Sequence, residues 1–305
     1  MFDLAEIITT SENINALYKK GKIKLEEAAD YTNFFFILKD ESGKHSALAY
    51  YNDELDLLEL VRTKDLSYQG FSPRDSAQSC LFWALKRFDL IVALGAAGTG
   101  KTTVALAYAL NEVFRNGKDL VLCKSTAFVG VTSNAIAAIP GDHREKLEGY
   151  MDSYMIAMKK IMGETFEHHL YQLEEEGRIQ FKPFELLRGQ HFENSVVIID
   201  EAQNTSPHEL MTAISRVGSG CTLIVMGDPD QVDTQQMPDE TGLYALIHSD
   251  AFAEFPLGVG VQLTAQYRGP LAQLAADILV EVRDKLKKLS SLSNQNSYSF
   301  ALPTK

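Results

Sequence analysis

The rhythm of apolar and polar positions changes near residue 70 and divides the 305-residue chain. Before that point a helical pattern covers residues 12–20, and three strand-like runs follow at 34–38, 46–51 and 55–61. The first two runs flank Asp40-Glu41-Ser42-Gly43-Lys44, a hairpin-type connection with a glycine available for positive φ. These runs predict a small β-rich domain over residues 1–70. It carries no chemical motif and reads as a docking or packing module. From residue 72 onward strands alternate with helices. Ser72-Pro73-Arg74-Asp75 reads as an N-cap, a proline at the first helical position and an acid in the first turn, which predicts a helix to about Arg87. Short continuous apolar runs at 90–94, 120–123, 196–199, 222–226 and 259–263 are what strands covered on both faces look like. Five such runs with helices between them predict an α/β domain with a doubly wound parallel sheet.

The second and third of these strands are separated by a long insertion, residues 124–194. Met151, Met155, Met158 and Met162 recur in it at helical spacing, the pattern of a core-facing stripe. A last helix is expected over 270–288, which closes the larger domain at about residue 289. The Ser- and Asn-rich tail 290–305 is expected to be loosely ordered.

Charge narrows the functional classes. Forty-one acidic against 29 basic residues give a net charge of −12, which argues against a broad basic surface that coats duplex nucleic acid. A local groove for single strands remains compatible, because stacking supplies much of that binding. No apolar run reaches the roughly 20 residues of a membrane span. The start Met1-Phe2-Asp3-Leu4-Ala5-Glu6 lacks a signal-peptide pattern, so a cytoplasmic protein is expected. Cys80, Cys123 and Cys221 lie far apart in apolar runs and are expected as buried free thiols.

The candidate chemistry begins at Gly95-Ala96-Ala97-Gly98-Thr99-Gly100-Lys101-Thr102-Thr103, a Gly-x-x-x-x-Gly-Lys-Thr run that follows a predicted strand and opens a predicted helix. Glycines let backbone N–H groups turn inward around phosphate, and the helix N-terminus adds partial positive charge. Lys101 is expected to reach the β- and γ-phosphates of ATP, and the Thr102 hydroxyl to ligate Mg²⁺. Val196-Val197-Ile198-Ile199-Asp200-Glu201 then ends an apolar strand in two carboxylates. Asp200 is suited to hold Mg²⁺ and Glu201 to polarise the attacking water. Ser206-Pro207-His208-Glu209 is expected to cap the helix after them. Gly227-Asp228-Pro229-Asp230-Gln231 places Gln231 where it can sense the γ-phosphate. Gln78, seventeen residues before Gly95, carries an amide able to pair with adenine. Arg268 is a candidate to stabilise charge on the transferring phosphoryl group, and Tyr267 to stack on the base.

Together these elements resemble the motifs of superfamily 1 helicases, in the same order. The closer resemblance is to the PhoH family of P-loop ATPases. It rests on Gly98-Thr99-Gly100-Lys101-Thr102, Ile139-Pro140-Gly141-Asp142, Leu187-Arg188-Gly189 and Asp200-Glu201-Ala202-Gln203-Asn204-Thr205, and it covers about residues 70–279. The resemblance implies a RecA-like P-loop domain using ATP and Mg²⁺. The stretch 17–49 looks like the linking segment that follows a PIN-type nuclease domain in longer members. No such domain fits this sequence, and no nuclease activity is implied. Two departures stand out: Lys124-Ser125 where the family often has Arg-Pro, and Gly95-Ala96-Ala97 for Gly-Pro-Ala.

The function expected from this resemblance is an ATPase coupled to single-stranded RNA or DNA. Lys124, Ser125 and Phe128, just after the second strand, are the candidate nucleic-acid contacts. The residues after Arg268 are too few for a second α/β domain. The resemblance therefore suggests a homo-oligomeric ring, a hexamer, in which a neighbour's Arg144, Arg178 or Arg188 completes the site. An ATPase acting on a protein partner is the alternative. A small-molecule kinase fits less well, because Glu201 beside Asp200 suits water activation.

Overall fold

The computed structural model describes residues 2–29, 31–64, 66–125, 143–187, 189–234, 236–267 and 269–271, with positions 274, 278 and 285; for 143–150, 183, 185 and 186 it describes the backbone alone. Contacts divide the chain into two units, residues 1–265 and 266–305. The last helix expected over 270–288 falls mostly outside the described residues.

The chain opens with β1 (Ala5–Thr9), α1 (Ser11–Lys20) and β2 (Lys22–Ile23), followed by β3 (Phe34–Asp40), β4 (Ser46–Asn52) and β5 (Leu57–Leu60). They form one sheet in the order β1-β3-β4-β5-β2. The three expected strands are there. The two additions, β1 and β2, are edge strands. β2 has only two residues and β1 a single fully alternating pair, so neither stands out as a period-2 run. The connection after β3 turns on Gly43 at φ 66°, and Asp40 accepts hydrogen bonds from the Ser11 and Ser42 hydroxyls at 2.9 and 3.0 Å.

Alternation along β3 and β4 gives this sheet two apolar faces. Phe36, Leu38, Ala49 and Tyr51 pack with Ile14 and Leu17 of α1. Phe35 and Tyr50 point the other way and join the core of the following domain, with Trp83 5.8 and 5.1 Å away between ring centroids. The Phe2 carbonyl accepts from the Gln262 amide at 3.1 Å, a second tie between these regions.

The second sheet contains β6 (Leu90–Leu94), β7 (Asp119–Lys124), β8 (Ile179–Pro183), β9 (Ser195–Asp200), β10 (Thr222–Gly227) and β11 (Gly258–Gln262). Every pairing is parallel, in the order β11-β6-β10-β9-β7-β8. Without β8 this is the five-stranded parallel sheet that the five apolar runs imply, and it fits the RecA-like fold that the resemblance implies. β8 is an extra edge strand from the insertion. Its sequence, Ile-Gln-Phe-Lys-Pro, alternates polar and apolar, and among the described residues it pairs only with β7.

Helices cover both faces. One face carries α2 (Ser76–Ala84), α3 (Lys101–Asn116), α4 (His143–Met162) and α5 (Phe166–Glu175). Met151 and Met158 are buried there and Met155 and Met162 pack beside them, so the methionine stripe is core. The Tyr154 hydroxyl donates to the Cys123 carbonyl at 3.1 Å and pins α4 to β7. The other face carries α6 (Pro207–Ile214) and α7 (Gly242–Ile247). Ser206 caps α6 reciprocally with Glu209, as its sequence predicts. All three cysteines are buried and unbridged.

α2 differs from its expectation. Its cap is Asp75, whose carboxylate accepts from the Gln78 amide at 2.7 Å, so Ser72-Pro73 stays outside the helix. The observed cap lies three residues after the expected one, Ser72. Gln78 Oε1 accepts from the Arg74 N–H at 3.0 Å, just ahead of the observed start. Among the described residues no helix is long and apolar enough to cross a membrane.

Candidate nucleotide-binding site

Parallel strands put their carboxyl ends on one edge, and the residues singled out in the sequence gather there. β6 ends in the loop 95–100, β7 in Lys124-Ser125, β9 in Asp200-Glu201 and β10 in Gly227-Asp228. The Gly95 amide donates to the Gly227 carbonyl at 3.2 Å, which ties the start of the loop to β10. Gly95, Gly98 and Gly100 all have positive φ, and the Thr99 hydroxyl donates to the Ala96 carbonyl at 2.9 Å within the loop. Lys101 is buried at the start of α3, and its ammonium donates to the carbonyls of Gly95 and Ala96. Thr102 and Thr103 follow in the first turn, half-buried.

Gln78 is 4% exposed and bonded at both ends of its amide. Oε1 accepts from the Arg74 N–H at 3.0 Å, and Nε2 donates to the Thr99 carbonyl at 3.0 Å. A Cβ at Gly100 would lie 2.8 Å from that Nε2. Gln78 thus splints the phosphate loop to α2.

Thr102 Oγ1 lies 3.4 Å from Asp200 Oδ2. A hydroxyl and a carboxylate side by side are hard oxygen donors of the kind Mg²⁺ takes, with phosphate oxygens and water completing its shell. The donor set fits that ion. Burial raises Asp200 from its ordinary 3.8 to about 6, and the Glu201 charge adds to this. Lys101, the Glu201 N–H and Lys124 pull the other way. The folded chain holds this proton more tightly than the unfolded one, so the associated stabilisation is complete below pH 3.8 and lost as pH rises through about 6. A cation needs the carboxylate and competes with that proton. Mg²⁺-dependent ATP affinity is therefore expected to weaken by up to roughly tenfold per pH unit below about 6. Asp200→Asn should bind more weakly and flatten that slope. A titration of nucleotide affinity at fixed free Mg²⁺ checks both.

Glu201 sits at φ 55°, ψ 37°, left-handed backbone that costs a non-glycine residue about 1–2 kcal/mol. Its N–H donates to Asp200 Oδ1 at 3.0 Å. Gln203, 1% exposed, holds its side chain. Gln203 Nε2 donates to Glu201 Oε2 at 2.7 Å and to the Gln231 carbonyl at 3.1 Å, while Oε1 accepts from the Asp228 N–H at 3.1 Å. Gln231 Nε2 donates to Asp228 Oδ2 at 2.8 Å. One buried amide thus fastens the carboxylate after β9 to the turn after β10. The sequence contained Gln203 inside the Asp-Glu-Ala-Gln run but gave it no role. The available signal was its two-residue offset from Glu201.

Ser125 is buried, and its N–H donates to the Asp200 carbonyl at 3.1 Å; Lys124 pairs with Asp200 in the β7–β9 ladder. Phe128, Arg188 and Arg268 lie outside the described residues, as does the Arg144 side chain. Tyr267 is partly exposed and belongs to the second unit. Arg178 is occupied elsewhere. It donates to the carbonyls of Val113 and Lys118 at 2.9 and 3.1 Å, near the amino end of β7, and so braces α3.

The family model described as PhoH-like protein matches residues 71–255. The chain belongs to the PhoH family of P-loop ATPases. Among curated PhoH relatives, it is 31% identical over 284 residues to protein PhoH2 of Bacillus subtilis, covering 90% of this chain and 63% of that protein. It is 32% identical over 160 residues to protein PhoH of Escherichia coli, covering 52% and 44%. The chain thus spans less than two thirds of the PhoH proteins it matches. A solved structure of Pif1 helicase from Candida albicans is similar over 70% of this chain and 44% of that one, at 19% identity and a TM-score of 0.37.

Proposed function

We propose that the chain hydrolyses ATP with Mg²⁺ and couples turnover to single-stranded RNA or DNA, as a homo-oligomeric ring. The observation that carries the hydrolytic reading is the Gln203 tether, which holds Glu201 against the Asp228–Gln231 turn. Loop amides 98–102 and Lys101 bind the β- and γ-phosphates. Thr102 and Asp200 would hold Mg²⁺, which offsets phosphate charge when bound. Glu201 takes a proton from the water that attacks the γ-phosphorus, and the bridging oxygen leaves with ADP. Gln231, whose carbonyl accepts from Gln203, would pass a change at the γ-phosphate to Gln203 and Glu201 together.

Support for strand coupling comes from Lys124-Ser125. This segment leaves the sheet at the nucleotide edge, and the Ser125 N–H is bonded to the backbone of Asp200. A strand held at Lys124, Ser125 and Phe128 would pull on the residue proposed to hold the metal. Arg268, or an arginine from a neighbouring subunit, supplies the charge at the transition state. Steady-state turnover is expected to rise several-fold on adding a single-stranded oligonucleotide at fixed low salt, and to lose that gain as salt increases. Turnover indifferent to both RNA and DNA would overturn the coupling and leave an ATPase directed at a protein. A fully active monomer by light scattering would remove the ring.

A further inference from the structure

The edge of the sheet opposite the phosphate loop carries a cleft of about 500 Å³ that the proposed reaction does not use. It lies at the amino ends of β6, β7 and β10, where Asp89, Lys118 and Thr222 stand. Its charged lining is Lys86, Arg87, Arg115 and Lys118 against Asp89 and Glu112, a local excess of cations in a chain of net charge −12. Among the described residues, none of the four cations makes an ion pair with a carboxylate. Two rest on aromatic faces instead. The Arg87 guanidinium lies 3.9 Å from the Trp83 ring centroid and the Lys86 ammonium 5.3 Å from that of Tyr68. A cation held by a ring keeps its N–H donors for another acceptor.

The bland account is that Arg115 and Lys118 answer the negative end of α3. That end is already served. Gly117 caps it in the left-handed conformation, and Arg178 donates to the Val113 and Lys118 carbonyls. Lys118 reaches across to Thr222 Oγ1, 3.5 Å away, which is also 3.1 Å from the Tyr108 hydroxyl. The cleft therefore combines four cations that have no carboxylate partner among the described residues with hydroxyl and amide groups from Tyr108, Thr222 and Asn111. Lysine and arginine donors with neutral polar groups between them are the usual surroundings of phosphate oxygens.

We propose that this cleft is a second phosphate-binding site, distinct from the nucleotide loop, that takes a phosphate-bearing anion: either a small oligophosphate or the backbone of a nucleic-acid strand. The proposal does not depend on hydrolysis at Glu201, and binding stoichiometry tests it directly. Calorimetry with tripolyphosphate is expected to find two sites per chain. Lys101→Ala should remove one and leave the other. Arg115→Ala with Lys118→Ala should weaken the remaining site by roughly tenfold or more while Mg-ATP hydrolysis stays at the parent rate. Arg115→Lys with Lys118→Arg should retain it, which guards against a merely unfolded double variant. A uridine 20-mer is the second probe. If only the 20-mer loses affinity in the double alanine variant, the ligand is a strand; if only tripolyphosphate does, it is a small anion. A single tripolyphosphate site in the parent chain, with 20-mer binding unmoved by the alanines, would overturn the proposal.

Discussion

Glu201→Gln is expected to leave Mg-ATP binding intact and to lower hydrolysis about 10²–10⁴-fold, the usual worth of a general base. The substitution is conservative in shape. The amide oxygen of a glutamine can accept the hydrogen bond that Gln203 Nε2 gives to Glu201 Oε2 at 2.7 Å, so the side chain keeps its position and loses only its basicity. Single-turnover hydrolysis beside equilibrium nucleotide binding reads the two effects apart. Lys101→Ala, by contrast, should lose both, because the ammonium is inside the loop proposed to hold phosphate. Hydrolysis at the parent rate in Glu201→Gln would move the base to another residue. Asp228, joined to Glu201 through Gln203, is the next candidate, and its burial raises its affinity for a proton.

The phosphate loop and both carboxylates were legible because each is a local pattern: glycines where the backbone must turn, an apolar strand that stops on an acid. Their convergence followed from parallel topology, which five short apolar runs disclose. Features built by contacts distant in sequence were not legible. β1 has too few alternating residues to register as a strand, and it acquires that role by pairing with β3. β8 reads as part of a polar insertion because it is short and mixes Gln and Lys with apolar residues, and it acquires its role by pairing with β7. Gln78 reads as a partner for adenine, since its amide has the right donors and acceptors. The fold brings the Thr99 carbonyl and the Arg74 N–H to that same amide. Arg178 shows the same limit. Its bonds to the carbonyls of Val113, in α3, and Lys118, after it, come from chain segments about 60 residues away.

Gly95→Ala is expected to be the most damaging single-methyl addition in the loop, destabilising the chain by on the order of 3 kcal/mol or more and abolishing nucleotide binding. Two costs combine. The backbone is at φ 142°, a conformation L-residues rarely adopt, and the new Cβ would lie 2.2 Å from the Leu263 carbonyl oxygen. That oxygen is backbone at the end of β11, which is fixed to β6 by the bond from the Leu263 N–H to the Leu94 carbonyl at 2.8 Å. No rotamer change can relieve the overlap, so either β11 leaves its register or the loop lifts from the sheet. Gly117→Ala separates the two costs. Gly117 also has positive φ, 68°, but nothing lies within 4 Å of its Cβ position. It should lose only about 1–2 kcal/mol of stability, from the left-handed backbone alone, and bind nucleotide normally. Thermal unfolding and ATP binding of the two variants side by side give the comparison. Equal destabilisation would mean that β11 yields to the methyl group and that the loop is not clamped between β6 and β11.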